Sequence, residues 1–235
     1  MLENMLETIE VETEPKPNAA VIWLHGLGAD GHDFEPIVPE IVRAGERAWR
    51  FVFPNAPVRP VTINGGMPMR AWYDLKGLDR KAAEDLAGFR DTDVQIRQLI
   101  AREGKRGIPA NRIVLAGFSQ GGAVSLYTVP RFPEKLAGVM ALSCYLPQEN
   151  SLIAERAPAN NATPIFMAHG RGDTVLPMSL GILARDFLKA QGYKVEWHDY
   201  PMAHAVCAAE IADIREFLFR VLPAEGVAAS NVAAR

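Results

Sequence analysis

The chain has 235 residues, 49% of them hydrophobic, with a formal net charge of −3, which suits one α/β domain with a sizeable core. Nothing in it forms a basic footprint for nucleic acid, a like-charged disordered arm, or a run of ~18 apolar residues able to span a membrane. The acidic N-terminus has no signal-peptide core, and Cys144 and Cys207 lack metal-ligand spacing, so a cytoplasmic protein with two reduced thiols is expected.

Residues 6–14 alternate apolar and polar side chains, as a half-exposed edge strand does. Apolar runs at 19–24, 51–53, 113–116, 138–142 and 165–168 are too short for helices and read as strands buried on both faces. Phe34, Ile37, Val38, Ile41 and Val42 keep helical spacing up to Gly45, and a longer helix is expected over about 81–103. A helix after Gly121 should stop near Val129, ahead of Pro130 and Pro133, and another covers 178–191 before Gly192. Residues 194–200 read as a late strand, and Ile211, Ile214, Phe217, Leu218 and Val221 line one face of a last helix. The expected organisation is a single domain over 1–222 followed by a mobile tail over 223–235, which has little to bury. Alternating strands and helices predict an α/β fold with a mostly parallel sheet covered on both faces. The functional site of such a sheet lies at the carboxyl ends of its strands.

One of those ends carries the strongest chemical signal. Ile113 to Ala116 run into Gly117-Phe118-Ser119-Gln120-Gly121-Gly122, and a helix follows. A sharp strand-to-helix turn would hold Ser119 in a strained conformation, with glycines at 117 and 121 removing the collisions of side chains two positions away. The following helix would aim its unpaired N–H groups at any negative charge formed there.

A serine hydroxyl needs a base, and the base needs an acid that fixes its tautomer. Enzymes built on this turn place them in the chain order Ser, acid, His, which leaves His198 and His204 as bases. His198 falls inside the late strand pattern, where its ring would lie against a face of the sheet, whereas His204 falls in the loop after Tyr200-Pro201-Met202-Ala203 at the carboxyl edge. His204 is therefore the expected base. Asp173, in the glycine-rich loop His169-Gly170-Arg171-Gly172-Asp173 after the fifth apolar run, is the expected acid. Leu24-His25-Gly26-Leu27-Gly28-Ala29-Asp30-Gly31 is another glycine-rich loop at this edge, and the backbone N–H groups of Leu27 and Gln120 are the expected oxyanion donors. The loop could instead cradle a phosphate, but it has neither a following Lys-Ser/Thr nor dinucleotide spacing. A metal site built from His25, Asp30, His32 and Asp33 is the other rival reading.

With Met69-Arg70-Ala71-Trp72-Tyr73-Asp74 added, five motifs lie in one order, and over about residues 17–222 the chain resembles the bacterial carboxylesterase and lysophospholipase family that includes the acyl-protein thioesterases. The resemblance implies an α/β-hydrolase fold and a serine esterase acting on short to medium acyl esters, lysophospholipids or acyl thioesters through Ser119, Asp173 and His204, with no metal and no other cofactor. It also places Trp72, Met69 and Leu176 at the acyl pocket. Alternatives are a non-catalytic acyl-binding protein on the same fold, a peptidase or a dienelactone hydrolase. The chain departs from the family pattern at Ala203-His204-Ala205 and at Cys144 after Ser143, positions often held by glycine or serine; neither change removes a catalytic group. The apolar connection over 57–78 is a candidate wall for an acyl chain and a candidate homodimer contact.

Overall fold

Each apolar run becomes a strand because its alternate side chains can be buried on opposite faces of one sheet. In the computed structural model, which describes residues 5–77 and 83–224, the strands are β1 (Thr8–Glu12), β2 (Ala19–Leu24), β3 (Trp49–Pro54), β6 (Ile113–Phe118), β7 (Gly138–Leu142), β8 (Ile165–Gly170) and β9 (Val195–Tyr200). They form a seven-stranded sheet in the order β1-β3-β2-β6-β7-β8-β9. Only the β1–β3 pairing within it is antiparallel. Along β2, Ala20, Ile22 and Leu24 enter one apolar cluster while Ala19, Val21 and Trp23 enter the other.

The helices are α1 (Val38–Ile41), α2 (Leu86–Lys105), α3 (Gln120–Arg131), α4 (Glu149–Glu155), α5 (Met178–Ala190) and α6 (Ala208–Val221). Phe89, Ile96 and Leu99 of α2, Val124 and Leu126 of α3 and Leu188 of α5 fill the first cluster. Ile41 of α1 and Ile214, Phe217 and Leu218 of α6 fill the second. The sheet is therefore covered on both faces, in an α/β-hydrolase architecture.

Several boundaries differ from expectation. The segment 34–42 is a 3-10 turn over Glu35–Ile37 followed by one α-turn, because Pro36 and Pro39 each lack the N–H a longer helix would use. The first residues of the 81–103 helix lie outside the described residues; α2 begins at Leu86, where the Asp85 side chain accepts from Gly88 N–H at 3.2 Å. α3 runs through Pro130 to Arg131 rather than stopping at Val129. The 57–78 connection contains a hairpin, β4 (Val58–Val61) with β5 (Met67–Arg70), in which Pro60 faces Pro68. α6 ends at Val221 and Pro223 O accepts from Arg112 at 2.8 Å; from residue 225 the expected tail lies outside the described residues. Both cysteines are free. Among the described residues no helix is long and apolar enough to cross a membrane.

Candidate active site

Strand β6 delivers Ser119 to the carboxyl edge at φ 54° and ψ −116°, a conformation that costs a non-glycine residue energy. The turn is held by Ser119 N–H donating to Leu142 O at 2.8 Å and by Ala123 N–H donating to Ser119 O at 3.1 Å. There is no room for larger neighbours: a Cβ on Gly117 would sit 2.2 Å from the Gly121 carbonyl carbon, and one on Gly121 would sit 2.3 Å from Leu24 O. α3 is thereby pressed against β2 and β6, with its N-terminus directly after the serine.

Two further strand ends bring an acid and an imidazole together. The loop after β8 is bonded to the end of β9 through Arg171 N–H to Tyr200 O at 2.8 Å and to the loop after it through Gly172 N–H to Met202 O at 3.0 Å. His204 Nδ1–H donates to Asp173 Oδ2 at 2.6 Å, which fixes the tautomer and leaves Nε2 with its lone pair. Asp173 Oδ1 accepts from the N–H groups of Val175 and Leu176 at 2.9 and 2.8 Å, so the carboxylate cannot rotate freely. The His169 ring lies beneath, with Nε2 3.5 Å from Asp173 Oδ2 and hydrogen-bonded to Leu176 O at 2.9 Å. Burial pushes the His169 pKa below its ordinary value. The Phe118 ring, 4.7 Å from that of His204, backs the imidazole. His198 lies elsewhere, stacked on Phe166 at 4.9 Å on a sheet face, as its place in the strand pattern implies.

Ser119, His204, Leu27 and Gln120 line one cavity of about 260 Å³. The Leu27 and Gln120 backbone N–H groups donate to no acceptor among the described residues, so both are unspent donors at this cavity. The Gln120 side chain faces away: Oε1 accepts from Trp72 N–H at 2.8 Å, and Nε2 donates to Tyr73 O at 2.9 Å. His25 is buried with both ring nitrogens engaged: Nδ1–H donates to Gly26 O at 2.7 Å and Nε2 accepts from Ala56 N–H at 3.0 Å. Burial also lowers its pKa. A metal site through His25 would break that pairing, and His32 faces Glu35 at the surface.

Of the three residues expected at the acyl pocket, Leu176 lines the cavity, whereas Trp72 and Met69 do not. Trp72 is fully enclosed, its indole N–H donating to His25 O at 2.9 Å, so it supports the loop that carries Leu27. Met69 lies on β5, where its sulfur accepts from Asn64 at 3.3 Å and packs beneath Gly28. The walls are instead Phe118, Tyr73, Leu75, Val175 and Tyr145 beside Leu176. Tyr73 and Leu75 belong to the apolar connection already singled out. Tyr145 was overlooked, although its position just past the end of β7 was a usable signal.

Residues 6–222 match the phospholipase/carboxylesterase family. An acyl-protein thioesterase 1 of Mycosarcoma maydis is 40% identical over 225 residues, covering 89% of this chain and 94% of that protein. One of Neurospora crassa is 43% identical over 216 residues, covering 87% of each. Among solved structures, Arabidopsis thaliana SOBER1 superposes with a TM-score of 0.82 at 30% identity, over 87% of this chain and 99% of its own. Zea mays acyl-protein thioesterase 2 gives 0.82 at 27% identity, over 92% and 99%. With a family match across nearly the whole chain and these relatives on the same sheet, the chain belongs to the phospholipase/carboxylesterase family of α/β-hydrolases.

Proposed function

We propose that the protein is a serine hydrolase of carboxylic esters and thioesters that works through an acyl-enzyme on Ser119. The observation that carries this reading is the Asp173–His204 pair on the cavity that also holds the strained Ser119. His204 Nε2 takes the Ser119 hydroxyl proton as Oγ attacks the acyl carbonyl, then hands it to the departing alcohol or thiol. Asp173 holds the imidazole in the Nδ1–H tautomer and offsets the charge of the imidazolium. The N–H groups of Leu27 and Gln120 receive the negative charge on the carbonyl oxygen, Gln120 with the help of the α3 N-terminus. Water activated by His204 then releases the acid and restores Ser119.

The cavity walls favour an acyl group over a charged one, because Leu75, Phe118, Val175 and Leu176 supply apolar surface. Short to medium acyl esters are the expected substrates, with acyl thioesters and lysophospholipids as related candidates. The names of the fungal relatives support the thioester. Replacement of Ser119 by Ala should abolish p-nitrophenyl ester turnover and labelling by a fluorophosphonate while leaving the melting temperature near wild type. Turnover that survives in Ser119→Ala overturns the assignment.

A further inference from the structure

A second cavity, of about 230 Å³, adjoins the one at Ser119. Tyr73, Leu75, Tyr145 and Leu176 line both, so these four side chains are the wall between them. Across that wall the hydroxyls of Tyr73 and Tyr145 are hydrogen-bonded to each other at 2.9 Å. Burial pushes the pKa of both phenols up, so the bond joins two neutral groups. Beyond it Leu146, Leu180 and Leu183 extend the apolar wall, and the charged Asp74, Lys76, Glu84, Asp85 and Glu149 line the same cavity.

The two tyrosines are held unequally. Tyr73 is 2% exposed and its ring stacks on Phe89 at 4.0 Å, which stacks in turn on Tyr127 at 5.2 Å. Its carbonyl is held by the Gln120 side chain. Tyr145 is only part-buried and sits in the loop after β7, two residues beyond Ser143, whose φ is +46°. Tyr73 is therefore the more firmly enclosed side of the wall and Tyr145 the less enclosed one.

Building on the reading of Ser119 as an acyl-accepting nucleophile, we infer that the Tyr73–Tyr145 pair is a partition that sets acyl-chain length. A short chain ends within the Ser119 cavity. A longer chain has to separate Tyr145 from Tyr73 and continue between Leu75 and Leu176 into the second cavity. The hydroxyl bond is the barrier specific to long chains, since short ones never reach it.

The test compares kcat/KM for p-nitrophenyl butyrate and p-nitrophenyl decanoate in wild type, Tyr73→Phe and Tyr145→Ala, with fluorophosphonate labelling of Ser119 in each. Loss of one neutral hydrogen bond should raise the decanoate-to-butyrate ratio about three- to tenfold in Tyr73→Phe. Removal of the ring in Tyr145→Ala should raise it further. A ratio that stays within about twofold of wild type in a Tyr73→Phe protein that labels normally overturns the partition. Tyr73→Phe keeps the stacked ring, so it decides the matter even where Tyr145→Ala does not fold. Wild-type protein that neither labels nor turns over either ester would instead remove the nucleophile reading beneath.

Discussion

Gln120 shows how one residue couples chemistry to packing. Its backbone N–H is a free donor at the cavity, while its side chain closes the hydrogen bonds of Trp72 N–H and Tyr73 C=O at 2.8 and 2.9 Å. Gln120→Ala keeps the backbone donor and strands two buried backbone groups. Each costs about 1–3 kcal/mol when unpaired, so denaturant unfolding should show a loss of roughly 2–6 kcal/mol. Turnover should fall as well, because Trp72 carries the loop of Leu27 through its bond to His25 O. An unchanged unfolding midpoint would mean that other groups satisfy Trp72 and Tyr73. Neither of these side-chain bonds is visible in the sequence, whereas the place of Ser119 is. The expectation for Ser119, Asp173 and His204 rests on residue type and on their positions after apolar runs. The motif around Trp72 places it near the site but does not show which way the indole turns. Tyr145 escaped because a cavity wall is a tertiary property.

At the scale of elements, the meeting of the β8 and β9 loops controls the Asp173–His204 distance. Gly170, the last residue of β8, lies so close to the neighbouring loop that a Cβ would sit 2.3 Å from Ala203 O and 2.4 Å from Met202 O. Both are backbone atoms one and two residues before His204, and they cannot rotate away as a side chain would. Gly170→Ala should therefore push the His204 loop outward. A misplacement of about 1 Å at a catalytic group can cost about 10²-fold in rate, and a loss of that order in kcat is expected, with the His204 displacement visible in a crystal structure of the variant. Retention of full activity would show that the loop yields without moving the imidazole. The fully buried strands were legible because continuous apolar runs have few other solutions. The β4–β5 hairpin was not: Pro60 and Pro68 argue against a strand, and a two-stranded ribbon tolerates them because it has no third strand to pair with. The short helix α4 buries only Leu152, too little to leave a periodic signal. Helix α1 failed in the opposite sense, since its apolar spacing was right and its prolines prevented the length.

For the whole molecule, buried titratable groups set two opposing dependences of stability on pH. His25 and His169 have pKa values lowered chiefly by burial, and a proton on His25 Nε2 would also displace the Ala56 N–H it accepts. The unfolded chain takes up protons there that the native state refuses, so this contribution is lost progressively as pH falls below the ordinary histidine value of about 6.5 towards the lowered native value. Glu210 acts in the other direction. Its side chain is fully buried in the first turn of α6, neither oxygen meets a donor at good geometry among the described residues, and burial pushes its pKa up to about 8, with Asp213 adding to the rise and Cys207 N–H offsetting part of it. Below the ordinary glutamate value both states hold the proton. Between there and about 8 only the native state holds it, so stability falls as pH rises across that window and levels off above it. Glu210→Gln removes this titration while leaving the histidines in place. The stability of Glu210→Gln relative to wild type should therefore increase between pH 5 and pH 8 by about 3 kcal/mol, read as the difference of two denaturant-unfolding series. Curves that run parallel over that range would mean that Glu210 is ionised in the native protein and finds a donor when charged, and the alkaline loss of stability would then have to arise elsewhere.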